Sequence, residues 1–203
     1  MKKTIVYLSL FFLCMAVHAE AFETWLQGDV GYFYPTSDKF RQIYQENALY
    51  GGEITVPLPK RWALWASADY YKTKGHSIGL NDPTNINLVP LGLGVKYILP
   101  LGSMTQFYVG AGACYLFLNV HNDSPFVKEH VHLNGWGWVA KTGLMMNLSD
   151  RWFLNLFADY MDKQFTTHPT SGQKVKVNVS NVSVGLGLGY KFGCQIRSCQ
   201  TRK

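Results

Sequence analysis

From Trp25 onward, apolar residues alternate with polar or small ones at a period of two, the pattern of strands whose two faces meet different surroundings. Eight segments carry it. Leu26, Val30, Tyr32 and Tyr34 oppose Gln27, Asp29 and Gly31; Tyr50, Ile54, Val56 and Leu58 oppose Gly51, Glu53 and Thr55. Trp62, Leu64, Ala66, Ala68 and Tyr70 face away from Ser67 and Asp69, and the run Val89 to Leu99 sets its odd residues against Gly92, Gly94 and Lys96. In the fifth segment Phe107, Val109, Ala111, Ala113, Tyr115 and Phe117 share a face, while Tyr108, Leu116 and Leu118 interrupt the polarity of the other. Trp136, Trp138, Ala140, Leu144, Met146 and Leu148 then oppose Gly137, Lys141 and Gly143, and Trp152, Leu154, Leu156 and Tyr160 oppose Asn155 and Asp159. The last segment changes phase, from odd Val175, Val177 and Val179 to even Val182, Val184, Leu186, Leu188, Tyr190 and Phe192, which predicts a bulge near Ser180 and Asn181.

The connections alternate as regularly as the residues do. Pro59 to Arg61, Pro100 to Met104 and Ser149 to Arg151 are tight turns, whereas the stretches around Thr36 to Asn47, Lys72 to Asn85, Val120 to His130 and Thr166 to Lys174 are longer and polar. All short turns therefore fall at one end of the sheet and all long loops at the other, the usual form of an outer-membrane barrel. Aromatics gather at both ends: Trp25, Trp62, Tyr97, Phe107, Trp152, Tyr190 and Phe192 near the turns, and Tyr32, Tyr34, Tyr50, Tyr70, Tyr115, Phe117, Trp136 and Tyr160 near the loops, as two interfacial belts would. The ionisable residues Asp29, Glu53, Asp69, Lys96, Lys141, Asp159 and Lys191 all lie opposite the bulky apolar face. In a soluble carrier barrel that face would be polar, so the charges point inward and the grease points to lipid. Lipid leaves no partner for an unpaired backbone group, so the sheet must close on itself. The expected fold is all-β, an eight-stranded antiparallel up-and-down transmembrane β-barrel.

Composition agrees. Only 16% of the 203 residues are charged and 15% are aromatic, against a usual charged share of about 25% in soluble domains, which excludes disorder. After residue 20 no apolar run reaches the roughly 18 residues of a spanning helix. Met1-Lys2-Lys3, an apolar stretch from Thr4 to Val17 and small residues around Ala19 and Ala21 form a secretory signal peptide over residues 1–19, with cleavage after 21 as the alternative. The barrel is assigned to 20–192 and a basic periplasmic tail to 193–203. Three cysteines then remain: Cys114 inside an apolar strand, and Cys194 and Cys199 near enough in sequence for a small disulfide loop.

At this point the sequence resembles the small eight-stranded outer-membrane barrels related to the OmpA transmembrane domain, OmpX and OmpW. The matching stretches are Gly28-Asp29-Val30-Gly31-Tyr32-Phe33-Tyr34-Pro35, Pro90 to Tyr97, Phe107 to Tyr115, and Val184 to Phe192 as the closing strand. The resemblance spans the mature chain, and it implies a fold, the outer membrane as location, and handling by the barrel-assembly machinery. Such barrels end on an aromatic residue, whereas here Phe192 is followed by Gly193 to Lys203.

Candidate chemistry is sparse. The inward charges Asp29, Glu53, Asp69, Lys96, Lys141, Asp159 and Lys191 are read as a packed polar network of the lumen. His130 and His132 would share a strand face within reach of one metal ion, beside the plainer reading of solvated loop residues, which is preferred; no metal or other cofactor is expected. His121 with Asp123 and Ser124, or His76 with Ser77, would be the catalytic groups of a lipid A-modifying enzyme, but the chain is expected to be no enzyme. The loops carry Lys39, Arg41, Lys72, Lys74, Lys128, Lys163 and Lys174 against Asp38, Glu46, Asp82, Asp123, Glu129 and Asp162, a mixed and mildly basic surface. The reading is a monomeric barrel with a structural or cell-surface interaction role, set among outer-membrane lipids and lipopolysaccharide, open to a surface ligand through its loops and without a nucleic-acid partner. The alternatives are a narrow porin-like channel for small or hydrophobic solutes and, after that, the lipid A-modifying enzyme.

Overall fold

The computed structural model describes residues 23–36, 47–76, 83–122, 130–167 and 175–193. Its strands are β1 (Thr24–Pro35), β2 (Asn47–Pro57), β3 (Trp62–His76), β4 (Pro83–Pro100), β5 (Thr105–Asn122), β6 (His130–Asn147), β7 (Trp152–Asp162), β8 (Gln164–Thr167), β9 (Val175–Asn178) and β10 (Asn181–Phe192). Eight of them close in the order β1-β10-β7-β6-β5-β4-β3-β2, with β1 antiparallel to both β2 and β10, and β8 pairs with β9 alone. The barrel has no free edge strand, the closure that lipid demands of a spanning sheet.

Parity decides what each side chain meets. Leu93, Val109, Trp136, Leu156 and Leu186 stand exposed on the outer wall, as the alternation predicts, and Tyr108, Phe153 and Glu53 are buried within. Trp62 packs edge-on to Tyr97, and Trp152 to Tyr190, in the turn-end belt; Tyr115 packs against Phe117 and Trp136 in the loop-end belt. One belt assignment is corrected. Trp25 occupies an odd position of β1, the inward parity there, and is 6% exposed beside Phe153.

Two further expectations change at the loop end. Strands β3 to β6 run on through stretches assigned from sequence to loops, so that β4, β5 and β6 each reach 18 residues. Nor does the shift of apolar phase before β10 mark a bulge. β8 and β9 continue the β7–β10 register (Gln164 opposite Asn178, Met161 opposite Asn181), the ladder being interrupted only around residues 162–163 and 179–180, where Val179 N–H still donates to the Lys163 carbonyl. The parity is unbroken. What changes is which parity is apolar: Ile86, Leu88, Leu116, Leu118 and Val179 are buried on the inward side, while Asn119 and His132 are exposed outside. These residues form a collar above the lipid-facing band, apolar within and polar without.

A second interruption lies in the wall. The β3–β4 ladder pairs Ala68 with Leu91 and resumes at Tyr71 with Leu88, skipping the two positions beside Pro90. Proline has no N–H to give a ladder.

Candidate functional site

The lumen is built in three layers. At the turn end Trp25, Ala63, Ile98, Tyr108, Met145 and Phe153 form a buried apolar plug. Lys191 closes it, its Nζ 4.9 Å from the Trp25 ring centre and 2.8 Å from Asn147 Oδ1. Such contacts let an ammonium sit in an apolar setting through ring faces and one acceptor. At the loop end Phe33, Leu49, Tyr71, Leu88, Leu116 and their neighbours form the larger apolar cluster, with Phe33 stacked on Tyr71 at 4.0 Å between ring centres.

The polar layer lies between. Glu53 on β2 is its hub: it accepts from Lys96 of β4, from Lys141 of β6 at 3.0 Å and from Thr55 at 2.8 Å. Lys141 reaches on to Asp159 of β7 at 3.1 Å and lies over the Trp65 ring at 4.7 Å. Asn155 donates to Gln27 and to Tyr108 Oη, both at 3.2 Å, and Gln27 donates to Asp29 at 2.5 Å. Ions taken from water are stable in such a place only if paired and hydrogen-bonded, which explains why one carboxylate serves two lysines. Below the layer, glycine lets a large ring lie flat on the neighbouring strand: a Cβ on Gly189 would occupy the position of the ring of Phe153, its partner on β7.

Of the inward charges expected from sequence, the structure brings Glu53, Lys96, Lys141 and Asp159 into one bonded set and places Asp29 and Asp69 at an adjoining cavity of about 40 Å³. Asp159 Oδ1 and Asn181 Nδ2, buried without a protein partner, also line that cavity, whose size and polarity suit a few bound waters. Lys191 is inward but stands apart at the turn end, so four acids face two lysines in the middle layer rather than three. The alternation sets Gln27, Tyr108 and Asn155 on the inner face but does not join them to the charged network, and Trp65 and Asn181, also at inward-parity positions, are open to the same test.

Among the described side chains no group of three or more His, Cys, Asp or Glu is arranged to hold a metal ion. His132 is exposed, with Nδ1 2.5 Å from Asn119 Oδ1. The backbone of His130, His121 and His76 is described as strand, but their side chains are not, and Ser77, Asp123, Ser124, His168, Cys194, Cys199, the expected signal peptide and the tail after Gly193 lie outside the described residues. Cys114 is a free, buried thiol.

The family model for the outer membrane protein beta-barrel domain matches residues 5–192. The crystal structure of OprG from Pseudomonas aeruginosa superposes with a TM-score of 0.66 at 20% identity, covering 86% of this chain and 98% of that one. Outer membrane protein W of E. coli gives 0.59 at 18% identity, over 85% and 99%. Ail, the attachment invasion locus protein of Yersinia pestis, solved with the heparin analogue sucrose octasulfate, gives 0.54 at 13% identity, over 84% and 99%. No curated protein matches the sequence.

Proposed function

The chain belongs to the outer membrane protein beta-barrel family, and from that premise we propose that it works as a filled barrel, an anchor that presents its loop end at the cell surface for interaction. The filling of the lumen carries this reading. An eight-stranded barrel has an interior just wide enough for side chains, and here Tyr108, Phe153, Ala63 and Asn155 are each at most 1% exposed across its section. On this reading a section so filled carries no aqueous path along the axis, and the collar and the loops are the surfaces left to act. Their mixed, mildly basic charge suits lipopolysaccharide headgroups and other polyanions, and the complex of Ail with a heparin analogue shows a barrel of this fold binding one. The reading includes no catalytic role and a monomeric state.

A narrower second reading is favoured by one observation. The cavity beneath the loop-end apolar cluster is lined in part by Pro90, beside the gap in the β3–β4 ladder, a geometry that would let a small solute pass sideways into the bilayer instead of along the axis.

Planar-bilayer recording of the purified barrel separates the first reading from an axial pore. The expected result is a silent membrane. Stepwise conductance that reports a steady aqueous pore overturns the proposal.

A further inference from the structure

We propose that the turn end of the barrel holds two phospholipid sites on opposite sides of its rim, one formed by Arg61, Trp62 and Tyr97 and the other by Arg151, Trp152 and Tyr190, each binding the phosphate of an inner-leaflet lipid.

The two sites are copies of one another. Residues 58–70 and 148–160 share Leu58 with Leu148, Arg61-Trp62 with Arg151-Trp152, Leu64 with Leu154 and Ala68-Asp69-Tyr70 with Ala158-Asp159-Tyr160. Their partner strands match as well, Gly92-Leu93-Gly94 and Tyr97 on β4 answering Gly185-Leu186-Gly187 and Tyr190 on β10. The register repeats too: Trp62 lies opposite Tyr97 and Ala66 opposite Leu93, as Trp152 lies opposite Tyr190 and Leu156 opposite Leu186. In each turn the leucine N–H donates to the tryptophan carbonyl, Leu58 to Trp62 at 2.7 Å and Leu148 to Trp152 at 2.9 Å. Around the closed sheet β5 and β6 separate the two strand pairs on one side, and β1 and β2 on the other, so the copies stand across the barrel from each other.

Each copy sets a cation beside a pair of rings. Trp62 and Trp152 are about half exposed on the outer wall and pack edge-on to their tyrosines at 5.1 and 5.0 Å between ring centres, amphipathic pairs of the kind that settle at the level of the headgroups. The arginine before each tryptophan stands on its turn side, where the phosphates lie. A guanidinium carries five N–H donors in a planar fork that can meet two phosphate oxygens at once. Arg151 gives one of them to Tyr190 Oη at 3.0 Å, which fixes the fork beside the rings and leaves the others for a ligand. Lys60 adds a second exposed cation at the first copy, whereas Asp150 takes its place at the second, so the first site is the tighter for an anionic lipid. The nearby turn tips carry exposed Leu101, Met104 and Leu148, side chains suited to lipid rather than to open water. Short turns lie on the periplasmic side of such barrels, where the leaflet is built of phospholipid.

The test follows lipid retention by native mass spectrometry of the barrel in detergent micelles doped with phosphatidylglycerol, its folding checked by heat-dependent gel mobility. Two lipids per chain are expected to stay bound. Arg151→Ala, and Lys60→Ala combined with Arg61→Ala, are each expected to remove one of them, weakening that site by about tenfold or more, the worth of a hydrogen bond to a charged group. All three substitutions together are expected to remove both lipids. Tyr190→Phe keeps the ring but releases Arg151, and is expected to weaken the second site by a smaller factor while leaving the first unchanged. Lys72→Ala, at an exposed lysine towards the loop end of β3, is expected to change nothing. The proposal is overturned if fewer than two lipids outlast the detergent, if Lys72→Ala weakens retention as much as the turn variants do, or if millimolar inorganic phosphate displaces the lipid, the mark of a site for free anions.

Discussion

Two stretches of the same wall obey opposite rules. On β5 the outward residues Phe107 to Phe117 are apolar or aromatic and the inward ones include Gly110, Gly112 and Tyr108; a few residues on, outward Asn119 is polar and inward Leu116 and Leu118 are buried. The backbone does not change between them. Pairing with β4 and β6 runs in one register from Thr105 to His121. The solvent changes. Against acyl chains the favourable arrangement sends grease out and pairs the charges inside, and above the loop-end belt water restores the ordinary rule of a globular barrel. The collar is thus a small water-soluble barrel end continuous with a membrane one, and the boundary between them is the row of Tyr115, Phe117 and Trp136.

The comparison breaks most readily at the hub of the membrane half. Glu53→Ala removes the carboxylate that pairs with both Lys96 and Lys141 and leaves two buried ammonium groups short of a partner. The expected loss is about 3–5 kcal/mol of folding free energy, the scale for breaking a buried pair from one side. Urea unfolding of the barrel in lipid vesicles, followed by tryptophan fluorescence, measures it. A change below about 1 kcal/mol would mean that the ionic layer is hydrated and the lumen less filled than described.

The outer wall gives the sharper contrast, because a single strand supplies both arms. Ala111 lies midway between Phe107 and Tyr115, in the middle of the lipid band, whereas Asn119 lies on the same face in the collar. Ala111→Arg is expected to destabilise by about 2–4 kcal/mol, the cost of an arginine at the bilayer midplane, and Asn119→Arg by no more than about 0.5 kcal/mol, as at an ordinary exposed site. Equal effects in the same unfolding assay would erase the boundary drawn at Tyr115 and Trp136.

Much of this was legible in the sequence, and for a physical reason. A two-residue period is absolute within a strand, so the facing of Asp29, Glu53, Lys96, Lys141 and Asp159 followed from parity alone. The collar is not legible, because the same period with inverted polarity looks like loop around Asn85 and Val120 and like a bulge at Ser180; apolar side chains face outward only as far as the lipid extends. Trp25 differs from the belt for a related reason: its place near a turn suggests the interface, but its odd parity turns it inward. The partition of the charges was hidden as well. Sequence puts Lys191 on the inner face but does not say at which height, and height decides that Lys191 lies with Trp25 and Asn147 while Glu53 is left to Lys96 and Lys141.

The smallest effect expected distinguishes the two apolar layers inside the barrel. The turn-end plug is packed tightly enough that Phe153 occupies the space a Cβ on Gly189 would take, whereas the loop-end cluster borders the cavity lined by Phe33, Leu49 and Cys114. Gly189→Ala should therefore destabilise by about 1–3 kcal/mol through overpacking. Phe153→Leu, which withdraws the ring, should cancel part of that loss in the double variant, since the two residues touch and their effects are not additive. If the two losses simply add, the ring is already free to move aside, and the plug is no denser than the chamber at the other end.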